Sequence, residues 1–144
     1  MPIVSFDFDG VLHQNVKVDR YTPEGKIYCY GPVSGDYTLW SNLVISPLIL
    51  EKIEEEISAG HTLVIVSARD QKYEWSALKH LDKLGIREKF QQILCGCKDK
   101  TKVLKKLGAI RHYEDSPKHI ESCRAAGIEV IQVYPLSNRI FDNF

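Results

Sequence analysis

The chain has 144 residues, a length that predicts one domain, residues 1–144, with a sizeable hydrophobic core. Its 19 basic and 19 acidic residues balance, so no overall basic field would attract the protein to nucleic acid or to an anionic membrane. The sequence has no apolar run of membrane-spanning length and no leader pattern at its start, which favours a cytoplasmic protein without a membrane partner.

The four cysteines offer no recognisable metal or disulfide framework. Cys95 and Cys97 form a C-x-C pair rather than the C-x-x-C of zinc and redox sites, and Cys29 and Cys123 stand alone. Reduced thiols are therefore expected.

The first element is a short apolar run over residues 3–6, which predicts a strand buried on both faces. Asp7 and Asp9 follow it directly, and Gly10 closes the stretch. Two carboxylates this close repel each other unless a cation compensates them, and Mg²⁺ is suited to oxygen ligands. Taken alone, the pair is equally consistent with ordinary turn residues after a strand.

Residues 11–45 lack helical periodicity. Turn residues over 21–26 and 31–35 flank the strand-like run 27–30, which predicts a β-hairpin or flap. Its aromatic residues are expected to pack the flap down rather than to cover a site.

The remainder of the chain alternates strands with amphipathic helices. Helices are predicted over 46–60, 72–84, 100–107 and 116–126, and strands over 62–66, 90–94, 110–113 and 128–133. The first helix is expected to bury Ile49, Ile53 and Ile57 and to leave its glutamates mostly outside this stripe. Ser46 and Ser116 are expected to cap helices, each followed by a proline. Residues 135–144 form a tail without a clear period.

This alternation predicts an α/β fold, a three-layer α/β/α Rossmann-like sandwich with a parallel five-stranded sheet. Polar residues follow three of the strands: Asp7 and Asp9, then Ser67 and Arg69, then Glu114 and Asp115. The carboxyl ends of parallel strands meet at one edge of a sheet, where ligands bind. Together with a lysine at the start of the helix before residue 110, these groups predict a site for a phosphate and its metal ion.

The motifs resemble those of the haloacid dehalogenase superfamily, in its small phosphatase branch without a large cap domain. The family motif D-x-D-G-[TV] matches residues 7–11, and the apolar strand ending in Ser or Thr matches residues 64–67. The lysine that opens a helix matches Lys100, with Lys102 as the alternative, and the acidic pair matches Glu114 and Asp115. The resemblance covers about residues 1–134. Many relatives carry a second aspartate four positions after the one matched by Asp115, whereas this chain has His119 there.

The resemblance implies a mechanism and a cofactor, Mg²⁺. Asp7 would be the nucleophile, Asp9 the general acid and base, Ser67 a phosphoryl hydrogen-bond donor and Lys100 the charge-balancing group. Asp7, Asp115 and the backbone carbonyl of Asp9 would hold the metal ion.

The remaining candidates have smaller roles in this interpretation. Gly10, Ala68 and Arg69 would border the substrate. Glu114 would be either a second carboxylate of the metal site or, as we favour, a residue that supports the site without touching the substrate, as Lys102 would. A surface position explains Arg69 better than a contact with the substrate does.

The expected activity is hydrolysis of a phosphomonoester, a nucleotide or another small phosphate ester, by a monomer or weak homodimer. One alternative is end processing of nucleic acid, similar to a 3′-phosphatase, which the zero net charge disfavours. Another is a phosphate- or metal-binding module without catalytic activity.

Overall fold

The computed structural model describes residues 1–12, 14–21, 27–30, 43–45 and 47–133. Within these ranges the strands are β1 (Ile3–Phe6), β2 (Gln14–Tyr21), β3 (Ile27–Tyr30), β4 (Leu43–Val44), β5 (Thr62–Val66), β6 (Phe90–Leu94), β7 (Ala109–Glu114) and β8 (Glu129–Gln132). The helices are α1 (Pro47–Ser58), α2 (Glu74–Leu84), α3 (Lys100–Leu107) and α4 (Pro117–Ala125), with 3₁₀ turns at Gln71–Tyr73 and Arg87–Lys89.

Five of the strands form one parallel sheet in the order β6-β5-β1-β7-β8. The first strand in the chain therefore lies at the centre, with β5 on one side and β7 on the other. This arrangement confirms the predicted α/β sandwich. It also brings together the carboxyl ends of the three strands that polar residues follow.

A second, antiparallel sheet follows β1, in the order β3-β2-β4. It contains the predicted hairpin, to which β4 adds a third strand. The side chains of this sheet lie outside the described residues, as do the expected cap Ser46 and the tail, residues 135–144.

The helices cover the parallel sheet on both faces. On one face α1 and α2 bury Ile53 and Leu81 against Phe6. On the other face α3 and α4 bury Leu104 and Ile120 in a second apolar cluster. Among the described residues, no helix is long and apolar enough to cross a membrane.

One face of α1 differs from the sequence prediction. Ile49 and Ile53 are buried, but Ile57 is exposed and Glu56 is buried instead. The cause is helical geometry, because a residue seven positions after Ile49 returns to almost the same face, whereas the eighth is rotated by about 80°. Arg111 donates two hydrogen bonds to the Glu56 carboxylate, at 2.8 and 3.1 Å, which compensates its burial.

One helix start and one helix cap also differ from prediction. The helix predicted from residue 72 begins at Glu74, because Gln71–Tyr73 forms a 3₁₀ turn in which the Asp70 carboxylate accepts a hydrogen bond from the Lys72 backbone. At α4, Ser116 occupies the cap position but its side chain makes no capping hydrogen bond.

Candidate active site

The candidate site lies where β1, β5 and β7 end. The backbone N–H of Asp7 donates to the Tyr113 carbonyl at 2.9 Å, which joins the end of β1 to β7. On the other side, the backbone N–H of Ser67 donates to the Leu94 carbonyl at 2.9 Å. The first aspartate and the serine are thus held by sheet-like hydrogen bonds just beyond their strands.

Lys100, the first residue of α3, lies between two buried carboxylates. Its ammonium is 2.9 Å from Asp7 Oδ1 and 2.7 Å from Glu114 Oε1, and its side chain is almost completely buried. Burial alone would lower the pKa of Lys100, but the two carboxylates outweigh this effect and raise it. Lys102, the alternative lysine of the sequence analysis, is exposed on the surface of α3.

Glu114 organises the site through a network that includes a histidine missed by the sequence analysis. Glu114 Oε1 accepts from Lys100 and lies 3.0 Å from His112 Nε2, while Oε2 accepts from the backbone N–H groups of Asp115 and Ser116. Burial alone would raise the Glu114 pKa, but the hydrogen bonds from His112 and the charge of Lys100 hold it well below its usual range. Both oxygens of the Glu114 carboxylate therefore accept hydrogen bonds from the protein, so this carboxylate is less suited than those of Asp7 and Asp115 to bind a metal ion.

Burial lowers the pKa of His112, so the ring is neutral near pH 7. We assign Nε2 as the donor to Glu114, and Nδ1, at 2.9 Å, as the acceptor of the Ser5 hydroxyl proton. The sequence carried a signal for this contact, because residues 112 and 114 of a strand share one face. Ser5 lies directly opposite His112 in the pairing of β1 with β7.

Gly10 permits the close approach of Asp115. Its φ of +84° lies in the left-handed region, and a Cβ atom at this position would lie 2.0 Å from Asp115 Oδ2. Any side chain at residue 10 would therefore collide with the carboxylate. This requirement accounts for the glycine of the D-x-D-G motif through the position of Asp115.

The carboxylates of Asp7, Glu114 and Asp115 offer oxygen atoms that all lie within 4.8 Å of one another. Burial, opposed incompletely by Lys100, raises the pKa of Asp7 well above its usual value. Burial likewise raises the pKa of Asp115 to about 6. The anionic forms of both groups thus lack sufficient positive charge nearby. A hard divalent cation such as Mg²⁺ would fit this donor set, and Asp7 and Asp115 could serve as its carboxylate ligands.

Arg69 contacts Asp9. Its Nη2 and Nε atoms donate to the two Asp9 carboxylate oxygens at 2.5 and 3.1 Å, and Nη1 donates to the Ser76 hydroxyl at 2.6 Å. The guanidinium also lies over the Phe8 ring, 4.7 Å from its centroid. The sequence analysis placed Arg69 beside the substrate or at the surface. The structure buries its side chain and fixes the position of the Asp9 carboxylate through it.

Ser67 and its neighbours complete the edge. Ser67 is buried, its hydroxyl oxygen accepts from the backbone N–H of Arg69 at 3.0 Å, and its carbonyl accepts from Cys97. Ala68 between them is exposed. Asp7, Asp115, Ser67 and Lys100 therefore come from four segments of the chain that meet at one edge of the sheet.

The comparisons with known proteins bear on the fold. No protein-family model matches the chain. An uncharacterized protein of Acanthamoeba polyphaga mimivirus is 33% identical over 127 residues, covering 81% of this chain and 24% of that protein. The chain thus spans about a quarter of the length of the curated relative it matches.

Among solved structures, the D,D-heptose 1.7-bisphosphate phosphatase of B. bronchiseptica, complexed with magnesium and phosphate, superimposes with a TM-score of 0.62. It is 12% identical, and the match covers 100% of this chain and 87% of that one. A haloacid dehalogenase-like hydrolase of Streptococcus pneumoniae superimposes with a TM-score of 0.54 at 15% identity, with 92% and 84% covered.

A chain of the Pnkp1/Rnl/Hen1 RNA repair complex superimposes with a TM-score of 0.63 at 13% identity, with 93% of this chain and 43% of that one covered. Sequence identities this low establish the architecture rather than the chemistry. The chain therefore shares its fold with these structures, one of which is named as a haloacid dehalogenase-like hydrolase.

Proposed function

We propose that the protein is a Mg²⁺-dependent phosphohydrolase that cleaves phosphomonoesters through an aspartyl-phosphate. The observation that carries this proposal is the position of Lys100 Nζ, 2.9 Å from Asp7 Oδ1, at an edge of the sheet that also presents Asp9, Ser67 and Asp115. A nucleophilic carboxylate beside a fixed ammonium suits attack on an anionic phosphoryl group. Neighbours of the same fold include proteins named as phosphatases.

In the first step, an Asp7 oxygen would attack phosphorus and the bond to the leaving oxygen would break, while Asp9 gives that oxygen a proton. In the second step, Asp9 would take a proton from water as the water attacks phosphorus, and the bond between phosphorus and Asp7 would break. Arg69 binds both Asp9 oxygens in this structure, so one of these hydrogen bonds would open when that oxygen carries the proton, while the other would keep the carboxylate in position for both transfers.

Two further side chains would bind the transferring group. The Ser67 hydroxyl, at the end of β5, would donate to a phosphoryl oxygen, and the ammonium of Lys100 would balance the charge that accumulates there. Asp7, Asp115 and the backbone carbonyl of Asp9 would hold Mg²⁺, which supplies positive charge against the repulsion between carboxylate and phosphate.

The test is phosphate release from p-nitrophenyl phosphate and a panel of nucleotides and sugar phosphates, with and without Mg²⁺. We expect turnover that requires Mg²⁺ and that Asp7→Asn removes. Asp82→Asn, which changes an exposed aspartate paired with Arg87, is the matched control and should keep full activity.

Two outcomes would contradict the proposal. Turnover retained in Asp7→Asn would exclude Asp7 as the nucleophile. Binding of phosphate or Mg²⁺ by the wild type without turnover of any ester in the panel would instead indicate a binding module.

A further inference from the structure

The zero net charge hides a separation of charge between the two faces of the parallel sheet. Residues 98–106, in and before α3, contain five lysines against one aspartate. On the opposite face, α1 contains four glutamates against one lysine. The helices α3 and α4 therefore form a basic face and α1 an acidic one, and the overall balance says nothing about either face alone.

The basic face consists of exposed, unpaired lysines. Five of them lie in α3, in α4 or just before α3: Lys98, Lys102, Lys105, Lys106 and Lys118. In the part of the chain that the structure describes, none of these five forms an ion pair with a carboxylate. On the other face, Lys52 pairs with Glu55 and Lys89 with Glu54, so cations there are compensated locally.

The basic face begins at the candidate site. Lys100, which contacts Asp7, is the first residue of α3, and Lys106 lies about 9 Å farther along the helix axis. Lys118 lies in the first turn of α4, which packs against α3. Positive charge therefore starts at the edge that holds Asp7 and continues down the side of the domain.

We infer that the substrate is a single-stranded nucleic acid with a terminal phosphate, whose phosphodiester chain follows this lysine face away from Asp7. The inference rests on the proposed phosphohydrolase activity and names its substrate class. A ligand that fits must carry a monoester at one end and further negative charges at regular spacing behind it. A flexible strand can bend over the edge and follow α3, whereas a flat anionic membrane cannot contact the edge and the side of the domain together.

The experiment compares two substrates, thymidine 3′-monophosphate and a ten-nucleotide oligothymidylate with a 3′-phosphate, at fixed Mg²⁺ and varied NaCl. Contacts to about three phosphodiesters give a salt slope of about −2, so the oligonucleotide KM should rise about 20-fold between about 50 and 200 mM salt. The mononucleotide KM should change far less. Parallel arms with a 5′-phosphate and with RNA identify which end and which sugar are preferred.

The variant Lys105→Gln/Lys106→Gln removes two charges from the basic face at a distance from Asp7. We expect it to raise the ratio of the oligonucleotide KM to the mononucleotide KM about 10-fold and to reduce the salt slope by about 1.4. The matched control, Lys79→Gln/Lys83→Gln, removes two exposed lysines from α2 on the other face and should leave the ratio unchanged.

Equal KM values for both substrates at every salt concentration would overturn the inference and leave the phosphohydrolase proposal standing. If neither substrate is hydrolysed, the proposed function fails, and fluorescence anisotropy of the labelled oligonucleotide decides the inference separately. Salt-dependent binding that Lys105→Gln/Lys106→Gln weakens would support the lysine face, and no binding would refute it. If the protein binds phosphatidylserine vesicles but shows no preference for the oligonucleotide, the inference is overturned and the ligand of the lysine face is an anionic membrane.

Discussion

The contact between residue 10 and Asp115 allows a sharp test of the site, the substitution Gly10→Ala. The new Cβ atom would lie 2.0 Å from Asp115 Oδ2 and 2.5 Å from Asp115 Cγ, whereas ordinary contacts are 3.4–4 Å. The Asp115 carboxylate must therefore move by more than about 1 Å, and a misplacement of that size typically reduces a rate about 100-fold. We expect kcat/KM to fall about 100-fold and Mg²⁺ to bind at least 10-fold more weakly.

Gly108→Ala is the matched control. Gly108 has a φ of +69°, close to that of Gly10, but a Cβ atom at Gly108 would meet nothing within 4 Å. Both variants should lose about 1–2 kcal/mol of unfolding free energy from left-handed backbone strain. Only Gly10→Ala should lose Mg²⁺ affinity and activity.

The assays are urea unfolding for stability, titration calorimetry for Mg²⁺ and phosphate release for activity. If Gly10→Ala keeps the Mg²⁺ affinity and the kcat of Gly108→Ala, then the Asp115 carboxylate does not bind the ion from the position that it occupies in this structure. The assignment of Asp115 as a metal ligand would have to be abandoned.

Three further predictions concern the ion pairs and the acidic cluster. Arg69→Lys keeps the positive charge, but a lysine cannot contact both Asp9 oxygens and Ser76. We therefore expect kcat to fall about 10-fold more for an alkyl phosphate, whose leaving group needs a general acid, than for p-nitrophenyl phosphate. An equal fall in kcat for both substrates would refute a positioning role for Arg69. Arg111→Met leaves the Glu56 carboxylate buried without its main partner and should lower the free energy of unfolding, measured in urea, by about 1–3 kcal/mol. Arg87→Met breaks an exposed ion pair and should lower it by less than about 1 kcal/mol. Equal decreases for the two variants would contradict an energetic difference between the buried and the exposed pair. Burial raises the pKa of Asp115 to about 6, so protons compete with Mg²⁺ for this carboxylate in acid. Calorimetry should therefore show that the affinity for Mg²⁺ falls, and that more protons are released on binding, as the pH drops from about 7 towards about 5. A Mg²⁺ affinity that is independent of pH over this range would exclude Asp115 as a ligand.

Local sequence patterns were sufficient for the architecture. The strands at 62–66 and 90–94 and the helix at 100–107 occur where the apolar runs and periodicity predicted them. Short buried strands and glycine-ended helices are encoded by nearest neighbours in the chain, so they need no knowledge of distant contacts. The error at Ile57 was also local in cause, because residues spaced by four drift around a helix and the eighth position after Ile49 is rotated by about 80° from it, which leaves Glu56 rather than Ile57 on the buried face.

The side-chain contacts within the candidate site could not be predicted from the sequence. Lys100 and Lys102 are both lysines in the first turn of one helix, and only the burial of α3 against the sheet turns one inward and the other outward. The sequence favoured a surface position for Arg69 over a substrate-binding role. Neither interpretation predicted the contact with Asp9, sixty positions earlier in the chain, which the fold places within hydrogen-bond distance.

The order of strands and helices and the identity of the polar residues at the strand ends follow from the amino-acid sequence alone, because both are properties of short segments. Which of those residues form hydrogen bonds and ion pairs with one another depends on the tertiary fold. The pKa values of Asp7 and Asp115 depend on burial and on Lys100 and Glu114, which belong to other segments of the chain. Separation of charge between the two faces of the sheet is likewise invisible in a net charge of zero, since it depends on which helices the crossovers place on each face.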